Sequence, residues 1–172
     1  KKGSIKVSRI NEHIDELRDA LRDSVLDKDQ LKAIEKIEKK KAKDQEKKKK
    51  LIDEEDTKVK RYFVLNFEGN IAADAVASLR EEITAVLSMA TDSDEVILRL
   101  ESPGGMVHAY GLASSQLLRI KNQKIPLTIC VDKVAASGGY MMACLADKLV
   151  AAPFAIIGSI GVLVQLPNFH RV

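Results

Sequence analysis

Residues 95–132, EVILRLESPGGMVHAYGLASSQLLRIKNQKIPLTICVD, decide the fold class of this chain. The run EVILRL predicts a strand that ends at a Pro-Gly-Gly break, and the next eighteen residues carry apolar side chains at helical spacing. IPLTICVD then predicts another strand. A strand, a helix and a strand in this order are typical of a largely parallel sheet with crossover helices, so the sequence predicts an α/β fold.

The segments on both sides continue the alternation. RYFVLNFEG predicts a strand that ends at Gly69, and residues 72–90 predict a helix. Residues 137–146 predict a short helix, and the segment 148–165 supplies one or two further strands. We expect the buried side of the helix after the Pro-Gly-Gly break to consist of Val107, Leu112, Leu117 and Leu118.

The first part of the chain is far more charged than the rest. Residues 1–60 carry 19 Lys and Arg against 15 Asp and Glu, a net charge of +4, whereas residues 61–172 carry 9 against 10, a net charge of −1. Ile10, Ile14, Leu17, Leu21 and Val25 form one apolar stripe, which predicts a helix. We therefore divide the chain into a charged, mainly helical arm, residues 1–58, and a globular domain, residues 59–172.

Caps and a run of lysines describe the arm further. Ser8 is a candidate cap for the first helix, and Asp27 with Gln30 predicts a capping box for a second. Nine lysines lie between Glu35 and Lys50. They favour either attraction to anionic lipid headgroups or a solvated helical linker, and without interleaved aromatic residues they do not favour nucleic-acid binding.

Termini and cysteines set further limits. The chain starts at a residue other than Met and stops directly after an apolar run, so we expect it to be a piece of a longer protein. No run reaches the ~20 apolar residues of a membrane span, and no signal peptide is visible. Cys130 and Cys144 lack metal-ligand spacing and lie among apolar residues, which predicts two buried core thiols and no metal or cofactor site.

Two loops at predicted strand ends could carry chemistry. In E-S-P-G-G-M, Gly104 and Gly105 let the backbone approach a ligand, and free N–H groups at a helix start could face an anion, although Ser102 could equally be an ordinary helix cap. In A-A-S-G-G-Y, small neighbours would leave the hydroxyl of Ser137 uncovered, with the Gly138 N–H placed for a developing oxyanion. The alternative for Ser137 is also a helix cap.

Taken together, these loops and a later G-S-I-G-V resemble the signal peptide peptidase family of the SppA/SohB type. That resemblance runs from about Tyr62 to the end. The charged arm and the segments REEITAVL and LRLESPGGMVHAYGLA look most like the membrane-anchored SohB-type members. It implies a Clp protease/crotonase-like fold with repeated ββα-type units and Ser–Lys peptidase activity on apolar peptides such as signal peptides or membrane-protein fragments. It also implies a homo-oligomer and a protease domain on the periplasmic side of a bacterial inner membrane, with a membrane anchor before residue 1.

The resemblance also assigns residues. Ser137 matches the nucleophile, and Gly138 and Gly105 match the oxyanion donors. A segment lining the substrate groove is matched by Gly158, Ser159, Ile160, Gly161 and Val162. The general base would be a lysine beyond Val172, because neither Lys133 nor Lys148 matches its position; this chain alone would then be inactive. The alanines before Ser137, with Met141, Ile157, Ile160 and Val162, suit an apolar groove.

Three alternatives stay open. His170 could act as the base, oriented by Asp132 or Asp147. His108, one turn into the helix after S-P-G-G, is near enough to the site to consider, while His13 lies in the charged arm and is expected to be solvated. A crotonase-like enzyme would bind acyl-CoA and stabilise an enolate with the same backbone N–H groups, without any need for Ser137. A non-catalytic, membrane-associated scaffold would depend on the lysines of the arm and not on Ser137.

Overall fold

A computed structural model of the chain describes residues 5–51 and 59–163. Two compact units are distinguished, Lys1–Lys58 and Val59–Val172. The first contains the helices α1 (Ile10–Val25) and α2 (Lys28–Leu51). The second contains, in chain order, β1 (Tyr62–Glu68), α3 (Val76–Leu87), β2 (Glu95–Glu101), α4 (Val107–Asn122), β3 (Leu127–Val131), β4 (Val134–Ala136), α5 (Gly138–Ala143), β5 (Lys148–Ala151) and β6 (Ile156–Gly158).

The capping box at the start of α2 is confirmed. The Gln30 backbone N–H donates to Asp27 Oδ1 at 2.9 Å, and the Asp27 N–H donates to Gln30 Oε1 at 3.2 Å. The expected cap of α1 is wrong, because Arg9 occupies that position and makes no side-chain cap hydrogen bond. A 2.8 Å ion pair from Arg22 to Glu38 joins the two helices.

Helix α2 continues well past its apolar residues. Its apolar pattern ends at Ile37, yet the helix extends to Leu51. Lysine and glutamate have high helix propensity, and pairs four residues apart, such as Glu35 and Lys39 at 3.3 Å, add support. In the part of the chain that the structure describes, no helix combines the length and apolarity needed to cross a lipid bilayer.

The main sheet confirms the predicted α/β class. Four strands lie in the order β1-β2-β3-β5, and each neighbouring pair is parallel. The register places Leu65 beside Leu98 and Leu98 beside Ile129, so one face of the sheet is a continuous apolar surface. Helices α3 and α4 contact each other, and their buried side chains form one core with that face.

The predicted buried side of α4 is mostly wrong. Leu117 is buried, but Val107, Leu112 and Leu118 are exposed. A second set of residues, which also recurs at helical spacing, forms the buried side of the helix instead. These residues are Tyr110, Ala113, Ser114, Gln116, Leu117 and Ile120. This orientation brings the Tyr110 hydroxyl under the S-P-G-G loop.

The sequence pattern did not predict a second, smaller sheet, although its strand β6 lies in the segment that was predicted to supply one or two further strands; its other strand, β4, is too short to show a pattern. Val134–Ala136 pairs in parallel with Ile156–Gly158, and Ser102 forms an isolated parallel bridge to Ala135 on the other side. Each of β2, β3 and β5 thus ends in the main sheet and is followed by a contribution to the second sheet. Two of these contributions lead into a helix, Ser102 into α4 and β4 into α5, as in the predicted ββα-type units, and Ser137 directly follows β4.

A buried carboxylate fixes the start of the main sheet. Asp94, before β2, accepts hydrogen bonds from the Arg61 backbone N–H and guanidinium and from Thr91. These bonds, first of all those from the Arg61 side chain, hold the pKa of Asp94 far below its usual range. The first residues of β1 and β2 are therefore clamped together.

Candidate active site

Ser137 lies at the point where β4 ends and α5 begins. Its backbone has φ 50° and ψ −115°, a conformation that non-glycine residues adopt rarely and at a cost in energy. It occupies the N-cap position of α5, yet its side chain makes no cap hydrogen bond, so the alternative of a plain helix cap is not what the structure shows. Within the described residues, its half-buried hydroxyl has no hydrogen-bond partner.

The S-P-G-G loop packs directly against this serine. Gly104 has φ 92°, and a Cβ placed on it would lie 2.6 Å from Ser137 Cβ and 2.9 Å from the Gly138 nitrogen. Only a residue without a side chain permits this contact. Two loops that lie more than thirty residues apart in the sequence therefore meet at the Ser137 side chain.

The second glycine of the loop has different neighbours. A Cβ on Gly105 would collide with the backbone of Ile71, which also accepts a hydrogen bond from the Met106 N–H at 2.9 Å. Among the residues that the structure describes, the N–H groups of Gly105 and Gly138 have no acceptor, whereas the Gly104 N–H donates to Ser102 Oγ at 3.0 Å. Two free backbone donors thus belong to the residues predicted as oxyanion donors.

Ser102 is not the helix cap that its sequence position suggested. Met106 is the N-cap of α4, while Ser102 is fully buried and its Oγ lies 2.5 Å from the Tyr110 hydroxyl. Tyr110 in turn donates to the Asn70 carbonyl at 2.7 Å. Sequence reasoning did not find this pair, although a tyrosine among the apolar positions of α4 was a visible signal.

The two glycines after Ser137 allow close packing. A Cβ on Gly138 would collide with the Tyr110 ring, and one on Gly139 would lie 2.7 Å from the Ser102 carbonyl oxygen. Helix α5 therefore begins pressed against α4 and the S-P-G-G loop, and the position of the Gly138 N–H is fixed by that packing.

The G-S-I-G-V segment borders the same site. The Gly158 carbonyl accepts a hydrogen bond from the Ser137 N–H at 2.8 Å, and Ser159, like Ser137, has φ 50°. Beyond them, Ile160 and Val162 are 81% and 70% exposed. An exposed apolar segment thus leads away from the candidate nucleophile.

Lys133 and Asp147, considered from the sequence as a base and as an orienting carboxylate, are both engaged in ion pairs, and Asp147 lies at the opposite edge of the sheet from Ser137. Lys133 pairs with Glu101 at 3.0 Å, and this hydrogen bond raises the pKa of the lysine. Asp147 accepts from Lys121 at 2.5 Å and from the Leu127 N–H, and chiefly the Lys121 bond lowers its pKa. An ammonium whose pKa is raised stays protonated at neutral pH, so Lys133 is a poor general base there.

The other ionisable residues considered from the sequence are exposed or lie outside the described residues. His108 is exposed on α4 and His13 on α1, while His170 lies outside the described residues. Lys148 is exposed on β5, and Asp132 is exposed and lies 3.9 Å from Arg99. Within residues 5–51 and 59–163, no group of three or more His, Cys, Asp or Glu side chains could hold a metal ion.

The prediction of two buried thiols is wrong. Cys144 is exposed at the C-terminal end of α5, and Cys130 is only half-buried on the face of β3 that points away from the helices. A short helix leaves its last residue at the surface, and the apolar sequence context of Cys144 did not reveal this. The contact with Cys144 raises the pKa of Tyr140.

A strained serine beside free backbone N–H groups is the arrangement of a serine hydrolase. Family comparison specifies the class: the model "Peptidase family S49 N-terminal" matches residues 1–117, and "Peptidase family S49" matches residues 119–172. This chain belongs to the S49 family of serine peptidases.

Relatives within that family have the following similarity. "Probable protease SohB" of Haemophilus influenzae is 52% identical over 177 residues, covering 100% of this chain and 50% of the relative. "Putative protease SohB" of Buchnera aphidicola subsp. Baizongia pistaciae is 45% identical over 176 residues, covering 98% and 50%. "Protease 4" of Haemophilus influenzae is 32% identical over 114 residues, covering 63% and 18%. The chain spans about half the length of the SohB relatives that match nearly all of it.

Among solved structures, a ClpP1 mutant from Listeria monocytogenes matches with a TM-score of 0.40 and 20% identity, covering 50% of this chain and 46% of that one. The recognised family agrees with the sequence-predicted SppA/SohB resemblance.

Proposed function

We propose that this chain supplies the nucleophile and the oxyanion donors of a serine endopeptidase of the Ser–Lys type, which cleaves apolar peptides through an acyl-enzyme. The observation that carries the proposal is Ser137, held at positive φ where two glycine-rich loops meet, with a hydroxyl that has no partner among residues 5–51 and 59–163. Such strain is sustained only where the surrounding structure enforces it, and it is concentrated at active sites.

Catalysis would begin at the Ser137 hydroxyl. A base removes its proton while Oγ attacks the scissile carbonyl, and the carbonyl oxygen becomes negatively charged. The free N–H groups of Gly105 and Gly138 are suited to donate to that oxygen. Collapse of the intermediate expels the amine, which takes the proton from the base. Water then attacks the acyl-enzyme while the base removes a proton from it, and the Ser137 oxygen leaves and regains its proton from the base.

The base is proposed to be a lysine beyond Val172. Lysine serves as a base only when burial lowers its pKa towards neutrality. Lys133 does not meet this condition, because its pair with Glu101 raises its pKa. The serine hydroxyl has no partner among the described residues, as expected if its base comes from another part of the protein.

The substrate groove is proposed to follow the G-S-I-G-V segment. The hydrogen bond from Ser137 to Gly158 fixes the start of that segment beside the nucleophile. The exposed side chains of Ile160 and Val162 would contact apolar residues of an extended peptide. Signal peptides and fragments of membrane proteins have the apolar character that this surface favours.

The arm is proposed to place the site near a membrane. Helix α2 carries eleven lysines against five acidic residues between Lys28 and Leu51, and lysines near an anionic surface contribute about 1 kcal/mol each. The lysines support proximity to an anionic membrane surface. The homo-oligomer, the anchor in a bacterial inner membrane and the periplasmic side of the protease domain are proposed from the sequence resemblance alone, and a lysine-rich segment beside a membrane is more typical of the cytoplasmic side. Protease accessibility of the full-length protein in spheroplasts tests that location: cleavage only after lysis would refute it.

The activity is tested with the full-length protein and a fluorogenic apolar peptide. We expect Ser137→Ala to abolish cleavage, and Lys133→Ala, which removes an exposed ion-paired lysine, to leave it unchanged. Substitution of each lysine after Val172 then identifies the base. Equal cleavage by the wild type and by Ser137→Ala would refute the peptidase proposal and favour an acyl-binding enzyme or a scaffold.

A further inference from the structure

Three hydrogen bonds run in one direction beneath the S-P-G-G loop. The Gly104 N–H donates to Ser102 Oγ at 3.0 Å, and Tyr110 donates to the Asn70 carbonyl at 2.7 Å. Because the single Tyr110 proton is used there, the 2.5 Å contact between the two hydroxyls has Ser102 as the donor. Ser102 and Tyr110 are both fully buried, and each donates one hydrogen bond and accepts one.

This pair connects the elements that surround the nucleophile. The Ser102 backbone bonds to β4 on both sides of Ala135, through the Val134 carbonyl at 2.9 Å and the Ala136 N–H at 3.0 Å. The Tyr110 ring fills the space beneath Gly138. Ala136, just before Ser137, is therefore held by the Ser102 backbone, and Gly138, just after it, rests on the Tyr110 ring.

The pair also decides which N–H group of the loop is free. The Gly104 N–H donates to Ser102 Oγ. Gly104 has φ 92°, and the N–H of the next residue, Gly105, has no acceptor in the described residues. Without the Ser102 hydroxyl, a buried Gly104 N–H would need another acceptor, and the loop would have to turn to find one.

We propose that Ser102 and Tyr110 are positioning residues, which hold the S-P-G-G loop so that the Gly105 N–H and the Gly138 N–H converge on one oxyanion. The inference rests on the peptidase function proposed above. Neither side chain touches the substrate; both act through backbone groups that do.

The test uses Tyr110→Phe and Ser102→Ala in the full-length protein. Tyr110→Phe keeps the ring under Gly138 and removes only the hydroxyl. We expect kcat per active site to fall about tenfold, less than the 10²–10³ that follows the loss of an oxyanion donor, with KM within about twofold. A peptide aldehyde, which forms a tetrahedral adduct with a serine, should lose affinity in proportion to kcat/KM.

Two matched variants control for the loss of a hydroxyl elsewhere. Ser114→Ala removes a buried hydroxyl of α4 that has no hydrogen-bond partner, and Tyr62→Phe removes an exposed one. Both should keep the wild-type kcat and aldehyde affinity. Titration with a fluorophosphonate, run to completion, counts the folded enzyme in every sample that keeps Ser137, so that a loss of stability is separated from a loss of rate.

The outcomes separate the two proposals. If Ser137→Ala abolishes cleavage while Tyr110→Phe and Ser102→Ala keep the wild-type kcat per active site and aldehyde affinity, the pair only stabilises the fold and the inference is wrong. If Ser137→Ala cleaves as well as the wild type, the peptidase function itself fails.

Discussion

Replacing Gly104 by alanine tests whether the nucleophile depends on the close contact between the two loops. The new Cβ would lie 2.6 Å from Ser137 Cβ, 2.7 Å from the Ala136 carbonyl oxygen and 2.9 Å from the Gly138 nitrogen. Non-bonded carbons rest at about 3.5–4.0 Å, so the two Cβ atoms must move apart by about 1 Å. Backbone atoms and a Cβ cannot rotate away, so the loop or Ser137 itself has to shift.

The Gly104→Ala substitution should lower both the stability of the domain and the rate of catalysis. Left-handed backbone at φ 92° costs alanine about 1–2 kcal/mol, and the collisions raise the total to about 2–4 kcal/mol. At about 4 °C per kcal/mol for a domain of this size, Tm should fall by about 8–16 °C. A 1 Å displacement of a catalytic group costs about 10²-fold in rate, so kcat/KM should fall at least that far.

The assay compares Gly104→Ala with Gly111→Ala in the full-length protein. A Cβ on Gly111 meets nothing within 4 Å, and alanine in the middle of α4 should stabilise the helix by up to about 1 kcal/mol. Thermal melts, kcat/KM on the fluorogenic peptide and the rate of fluorophosphonate labelling are measured for both. A Gly104→Ala enzyme within threefold of the wild-type kcat/KM would refute the argument that this contact sets the position of Ser137.

Three further predictions concern stability. Asp94→Asn should lower Tm at pH 7 because Arg61 loses its buried partner. Folding lowers the pKa of Asp94, so the stabilisation from its carboxylate is complete above the unfolded pKa of about 4 and is lost as the pH falls below that value. The Tm values of the two proteins should therefore converge in acid, and a difference that stays constant with pH would contradict this prediction. Leu98→Ala empties a fully buried position and should cost about 2–5 kcal/mol, seen as a lower urea midpoint with an unchanged m-value; an unchanged midpoint would contradict the assigned core. Asp27→Ala removes the α2 capping box and about 1 kcal/mol of helix stability, so hydrogen exchange should accelerate at residues 28–31 and not in β2; equal protection in both proteins would contradict it.

Much of the fold could be predicted from the sequence because its strands are buried on at least one face. The apolar runs around Phe67, Leu98 and Ile129 and the helical spacing of residues 76–87 give clear patterns. Strand β4 could not be predicted, since three residues are too few for any period. It exists because Ser102 and Gly158 offer hydrogen-bonding edges on both sides, which is a tertiary effect.

Within the candidate site, residue types were easier to predict than their geometry. The small neighbours of Ser137 indicated an uncovered hydroxyl; in the structure the residue is half-buried, and among the described residues its hydroxyl has no hydrogen-bond partner. The role of Ser102 was not predicted, because its partner Tyr110 lies on a helix face that the sequence analysis took to be exposed. Two apolar stripes compete on α4, and only contact with the sheet and the S-P-G-G loop selects between them.

The order of strands in the main sheet has a consequence for synthesis. Strands β1, β2, β3 and β5 lie side by side in the order in which a ribosome releases them, so each new strand joins an edge that is already formed. If the base follows Val172 as proposed, the nascent enzyme completes its nucleophile loop well before it acquires the group that activates it. Such a protease would be inactive during its own synthesis, when its unfolded chain is the nearest substrate.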